Sequence, residues 1–85
     1  MVFCRKIWNK TLKSMIDDAY ESAKTKGVGR AYQSDNTGNT ITCIVKIDPK
    51  NSKVGYKQYW EINHVRVPKK SVLDNLEYYA LKAVR

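Results

Sequence analysis

Apolar residues recur at three- and four-residue steps through the first third of the chain and at two-residue steps through its middle. In residues 8–26, Trp8, Leu12, Met15, Ile16, Ala19, Tyr20 and Ala23 fall on one helical stripe. Lys10, Lys13, Ser14, Asp17, Asp18, Glu21 and Lys24 take the other side. This pattern predicts an amphipathic helix, capped at its start by Asn9 or Thr11 and ended by Gly27 in a left-handed conformation. Lys24 and Lys26 in the last turn suit the negative end of the helix dipole.

From Val28 the period changes to two. Residues 30–34 predict a first strand, and Asp35-Asn36-Thr37-Gly38-Asn39 supplies turn chemistry after it. In residues 40–48, Ile41, Cys43, Val45 and Ile47 alternate as in a strand with one buried face. Ile44 interrupts the polar side, which implies that part of that side is covered too. Asp48-Pro49-Lys50-Asn51-Ser52 forms a second turn. Residues 54–67 read as one long strand rich in β-formers: Tyr56, Tyr59, Trp60, Ile62, Val65 and Val67. Its apolar phase shifts between Ile62 and Val65, predicting a bulge or bend near Asn63 and His64. Pro68 stops the strand, and Ser71-Val72-Leu73-Asp74 has capping-box spacing with Asp in place of Glu. The closing helix, about 72–84, puts Val72, Leu73, Leu76, Ala80 and Ala83 on one side, flanked by Tyr79 and Val84. The predicted fold is α+β, one domain over residues 1–85: α-β-β-β-α with two helices packed on one face of a three-stranded antiparallel sheet.

Composition narrows the class. A chain of 85 residues buries only about 60–65% of its unfolded surface, enough for a single small core. Its 42% hydrophobic content, with six Tyr, two Trp and one Phe, marks a folded domain. Cys4 and Cys43 lie far apart with no CxxC spacing, whereas a secreted domain of this size usually carries more cysteines. Arg5 and Lys6 arrive before any apolar run develops, and no stretch approaches the ~18 apolar residues of a membrane span. The expectation is a cytoplasmic protein with both thiols free and no membrane contact. Cys43, inside an apolar alternation, reads as a small core residue.

Charge changes the picture most. Sixteen Lys and Arg against eight Asp and Glu leave a net of +8. That excess attracts polyanions and says little about fold. Lys69 and Lys70 precede the last predicted helix, where free backbone N–H groups already favour phosphate; the plainer reading is two solvated loop lysines. Lys50, Lys53 and Lys57 cluster around the second turn, and Lys24, Lys26 and Arg30 around the first helix–strand junction. Arg5, Lys6, Lys10 and Lys13 give the N-terminal end its own basic stretch. Aromatics exceed what so small a core needs, and a three-stranded sheet has one face free of helices. Tyr56 and Tyr59, near Arg66, can stack there on unpaired bases or anchor a protein partner. Trp8 and Trp60 are assigned to the core.

Catalytic chemistry finds little footing. His64 is the single histidine; with Arg66, Tyr56, Tyr59 and Glu61 near in sequence it fits a small ribonuclease, or simply lies on a bulged strand. One His and two distant Cys do not make a zinc set, and Gly27-Val28-Gly29-Arg30 lacks the Lys-Ser/Thr ending of a phosphate loop. No cofactor, metal or enzymatic role is expected.

Helix, three strands, helix, with a Lys pair before the second helix, is similar to the layout of double-stranded-RNA-binding domains. The resemblance implies that the first helix and the Asn36-Thr37-Gly38-Asn39 turn touch successive minor grooves while Lys69 and Lys70 hold the phosphates between them. In this chain Val65-Arg66-Val67-Pro68 stands where that family has a Gly-rich approach, and Ser71-Val72-Leu73-Asp74-Asn75 where it has a third lysine and small alanines. Small toxin ribonucleases of the same layout carry a histidine on an early strand, whereas His64 falls late. The leading expectation is a small basic module that contacts RNA or DNA through phosphates, as a monomer or homodimer. The alternative is a small inhibitor or adaptor, of the kind viruses or mobile elements encode, docking on an acidic surface of a larger nucleic-acid-handling protein.

Overall fold

The computed structural model describes residues 4–35, 38–50 and 55–83. Expectations for Asn36, Thr37, Asn51, Ser52, Lys53, Val54 and Val84 therefore lie outside the described residues. The elements are α1 (Arg5–Lys26), β1 (Val28–Ser34), β2 (Thr40–Ile47), β3 (Tyr56–Ile62), β4 (Val65–Val67) and α2 (Lys69–Ala83). The strands form one antiparallel sheet in the order β1-β2-β3-β4. The fold is α+β, but with four strands where three were expected.

The fourth strand comes from the turn at Asn63 and His64. Both residues have positive φ, 53° and 69°, the signature of a two-residue type I′ hairpin turn. Ile62 pairs directly with Val65 across it. A two-residue turn places its flanking residues on the same face, so it produces the odd-numbered phase shift that a bulge also produces. Asn at the first turn position is a good I′ former, but His at the second is not the usual Gly. The turn is braced by its neighbours: the Asn63 N–H donates to the Thr40 carbonyl at 2.9 Å, and the Thr40 N–H donates to Asn63 Oδ1 at 3.0 Å. Asn63 Nδ2 also donates to Asn39 Oδ1 at 2.8 Å, and Asn39 Nδ2 to Asp35 Oδ2 at 2.7 Å. Both turns at this end of the sheet are thus tied into one polar network.

α1 begins at Arg5, three residues before the expected start. Its N-cap is Cys4, which makes no side-chain capping bond. Thr11, a predicted cap, lies inside the helix and its hydroxyl donates back to the Ile7 carbonyl at 3.1 Å. Arg5 and Lys6 sit at the positive end of the dipole, an unfavourable place for cations. Arg5 is compensated by two carboxylates of α2, Asp74 at 2.6 Å and Glu77 at 3.1 Å. These hydrogen bonds, Asp74 first, raise the Arg5 pKa and join the two helices.

Gly27 ends α1 as expected, at φ 81°, with its N–H donating to the Ala23 carbonyl at 2.7 Å. β1 follows at the next residue, so the chain reverses directly and α1 lies against β1. Gly29 makes that approach possible. A Cβ there would overlap the Ala19 carbonyl oxygen and lie 2.7 Å from the Ala23 nitrogen.

Both helices cover one face of the sheet. Leu12, Met15, Ala19 and Ala23 of α1 and Val72 and Leu76 of α2 form a core with Ile41, Cys43, Val45, Trp60 and Ile62, alternate strand residues that share that face. Trp60, 1% exposed, is the largest buried side chain, and its Nε1–H donates to Gln58 Oε1 at 3.0 Å. Cys43 is a core residue, as expected, and burial pushes its thiol up to about 11, with Lys69 pulling weakly the other way. Trp8 and Tyr79 pack against this core from its edge.

α2 starts at Lys69, also early. Pro68 supplies a φ suited to a helix start, and its carbonyl accepts the Ser71 N–H at 2.9 Å. Ser71 is therefore already inside the first turn, and the expected capping box at Ser71–Asp74 does not form. Its carbonyl accepts Asn75 Nδ2 at 2.8 Å, and Asp74 is spent on Arg5.

Candidate nucleic-acid interface

The other face of the sheet carries no helix. Register and alternation put Arg30 and Tyr32 of β1, Thr42, Ile44 and Lys46 of β2, Lys57, Tyr59 and Glu61 of β3, and Arg66 of β4 on it. The rows read across the strands as Arg30–Ile44–Tyr59 and Tyr32–Thr42–Glu61–Arg66. Ile44 and Thr42 form its floor: they are 7% and 2% exposed although the helices lie on the opposite side. Their burial agrees with the expectation, drawn from Ile44, that part of this side is covered. Long basic side chains and tyrosines serve well here, because their apolar bodies shield the floor while their polar tips reach water.

Tyr59 organises the cations. The Arg66 guanidinium carbon stands 4.5 Å from its ring centroid and Lys46 Nζ 5.8 Å from it, both within cation–π range. Lys57 Nζ pairs with Asp48 Oδ2 at 3.4 Å at the margin of the face. Tyr32, 61% exposed, stands on the edge strand beside Arg30. The Thr42 hydroxyl in the floor is buried without a hydrogen-bond partner.

The sequence-derived site residues do not all share one face. Arg30, Lys57, Tyr59 and Arg66 share the open face. Tyr56 does not: it belongs to the helix-covered face, its ring 5.0 Å from that of Tyr20 on α1. Lys24, near the end of α1, pairs with Glu21 at 3.1 Å, which raises its pKa, and lies 5.0 Å over the Tyr20 ring. Lys26 is the last residue of α1, and Lys69 and Lys70 are exposed in the first turn of α2, so these three also stand on the helix side. Lys50 is exposed in the turn after β2, and Lys53 lies outside the described residues. Among the cations and rings of the open face, Tyr32 and Lys46 were missed. Their signal was the same two-residue alternation that found Ile44, but only register shows which cations and rings lie in adjacent rows.

His64 occupies the second turn position between β3 and β4, exposed to solvent. Among the described residues no three of the His, Cys, Asp and Glu side chains come together as a metal site, and no helix is long and apolar enough to cross a membrane. Comparison with protein-family models, curated protein sequences and solved structures returns no match.

Proposed function

We propose that the chain is a small nucleic-acid-binding module that works through the open face of its sheet and carries out no catalysis. The observation behind this reading is the cluster around Tyr59, with Arg66 and Lys46 held against its ring and Arg30 in its own row. Guanidinium and ammonium groups supply charge-assisted contacts to phosphate, and the Tyr59 ring draws Arg66 and Lys46 together on this face. The net charge of +8 adds long-range attraction. A binding titration over a range of salt concentrations tests it. The expected log–log slope is roughly −0.7 to −0.9 for each phosphate neutralised. Absence of binding to RNA or DNA, paired or unpaired, at low salt ends this reading.

A second reading, docking on an acidic protein surface, is supported by α2. Tyr78 and Leu81 are exposed there on one helical face, and such side chains anchor protein interfaces. Capture of a protein partner that persists after nuclease treatment, and is lost in a Tyr78→Ala/Leu81→Ala protein, would favour it.

A further inference from the structure

We infer that the open face takes single-stranded nucleic acid, stacking unpaired bases on Tyr32 and on the Tyr59–Arg66 pair. This rests on the nucleic-acid reading above and names the kind of strand that reading leaves open. The two rings stand on strands two apart and one two-residue step out of line, roughly 12 Å from each other by standard strand spacing and rise. Between them lies the low floor of Ile44 and Thr42. A strand crossing diagonally from Tyr32 to Tyr59 passes Arg30 at one ring and Arg66 at the other, so each ring has a guanidinium beside it for a phosphate.

A duplex has no use for this arrangement. Its bases are already stacked on each other, and it offers phosphate and sugar to a protein surface unless an element projects into a groove. The described part of this face is strand, without a helix to enter a groove. Two tyrosines, one of them 61% exposed, would then meet only a sugar–phosphate surface. An unpaired base covers such a ring and gains stacking energy whatever its identity. Recognition of this kind predicts weak sequence preference and a salt dependence shallower than that of duplex binding, since part of the affinity is not ionic.

The test compares labelled 12-nucleotide single strands of mixed sequence, RNA and DNA, with the corresponding 12-base-pair duplexes. Fluorescence anisotropy is recorded on the full chain at one low salt concentration. The expected result is tighter binding of the single strands, with Tyr32→Ala weakening it about 5- to 100-fold and Tyr32→Phe retaining it. Tyr32 carries the test because it is 61% exposed, and unchanged thermal unfolding of the variant shows that the fold is kept. Equal or tighter binding of the duplexes overturns the inference and leaves the nucleic-acid reading standing. Undiminished single-strand binding by a folded Tyr32→Ala protein overturns it as well. Failure to bind any of the four probes removes both.

Discussion

The two faces of the sheet are built from the same strands by opposite rules. On the helix side, small residues bring backbones together: Ala19 and Ala23 over Gly29, with Trp60 filling the centre. On the open side, Ile44 and Thr42 are buried among strand neighbours that include Arg30, Tyr32, Tyr59 and Glu61, with no helix over them. The first face spends most of its side chains on packing, with Gln33 at the end of β1 left exposed. The second carries charged and aromatic side chains, so the proposed binding face and the packed core lie on different sides of one sheet.

Substitutions on the helix side should act on folding, with the largest effects. Trp60→Ala removes the largest buried side chain and is expected to cost about 3–5 kcal/mol in denaturant unfolding. For a domain of this size that approaches the whole of its stability. Gly29→Ala adds one methyl where the α1 backbone already lies. Overpacking of this kind costs about 1–3 kcal/mol, and here the obstacle is backbone, so the upper end is expected. A Gly29→Ala protein as stable as the parent would mean that α1 does not approach β1 so closely.

Charge removal separates the faces by binding. Arg30→Gln/Arg66→Gln should weaken nucleic-acid binding several-fold and flatten the salt slope by roughly 0.7–0.9 per lost phosphate contact. Lys69→Gln/Lys70→Gln, on the helix side, should leave slope and affinity near those of the parent. The reverse outcome would move the interface to the start of α2, as the layout of double-stranded-RNA-binding domains implies.

Smaller effects sharpen the contrast. Thr42→Val replaces a buried hydroxyl that has no partner, so the variant should be stabilised by about 1 kcal/mol in thermal or denaturant unfolding. A loss of stability would reveal that the hydroxyl is satisfied. Cys43 gives a pH signature from the helix side. Its thiol is raised by burial to about 11 in the folded protein, from 9.0 for the free group. The folded state holds the proton more tightly, so this contribution is complete below pH 9 and is lost as pH rises toward 11. Alkylation at pH 8 should modify Cys4 and spare Cys43 until the protein unfolds. Rapid native-state labelling of Cys43 would contradict its burial.

The elements themselves were legible because each has a local cause. Gly27 ends α1, the alternation of Ile41, Cys43 and Val45 makes β2, and Pro68 ends the strand region. Errors arose where one local pattern has two solutions. The odd step from Ile62 to Val65 fits a bulge or a hairpin, and the choice falls to the bonds that Thr40 and Asn39 make with Asn63. The helices start early for different reasons: Asp74 and Glu77 offset the charge of Arg5 at the head of α1, and Pro68 suits the start of α2, its carbonyl accepting the Ser71 N–H.

Residue order alone determined the α+β class, the two helical stripes, the core placement of Trp60 and Cys43, and the net charge of +8. Those follow from periodicity and from composition, which need no partner strand. Which cations converge was decided only by strand pairing. Register joins Arg30, Ile44 and Tyr59, and brings Arg66 back beside Glu61 after the turn at Asn63. Neighbours across a sheet are separated by tens of residues along the chain, so their association is a property of the fold.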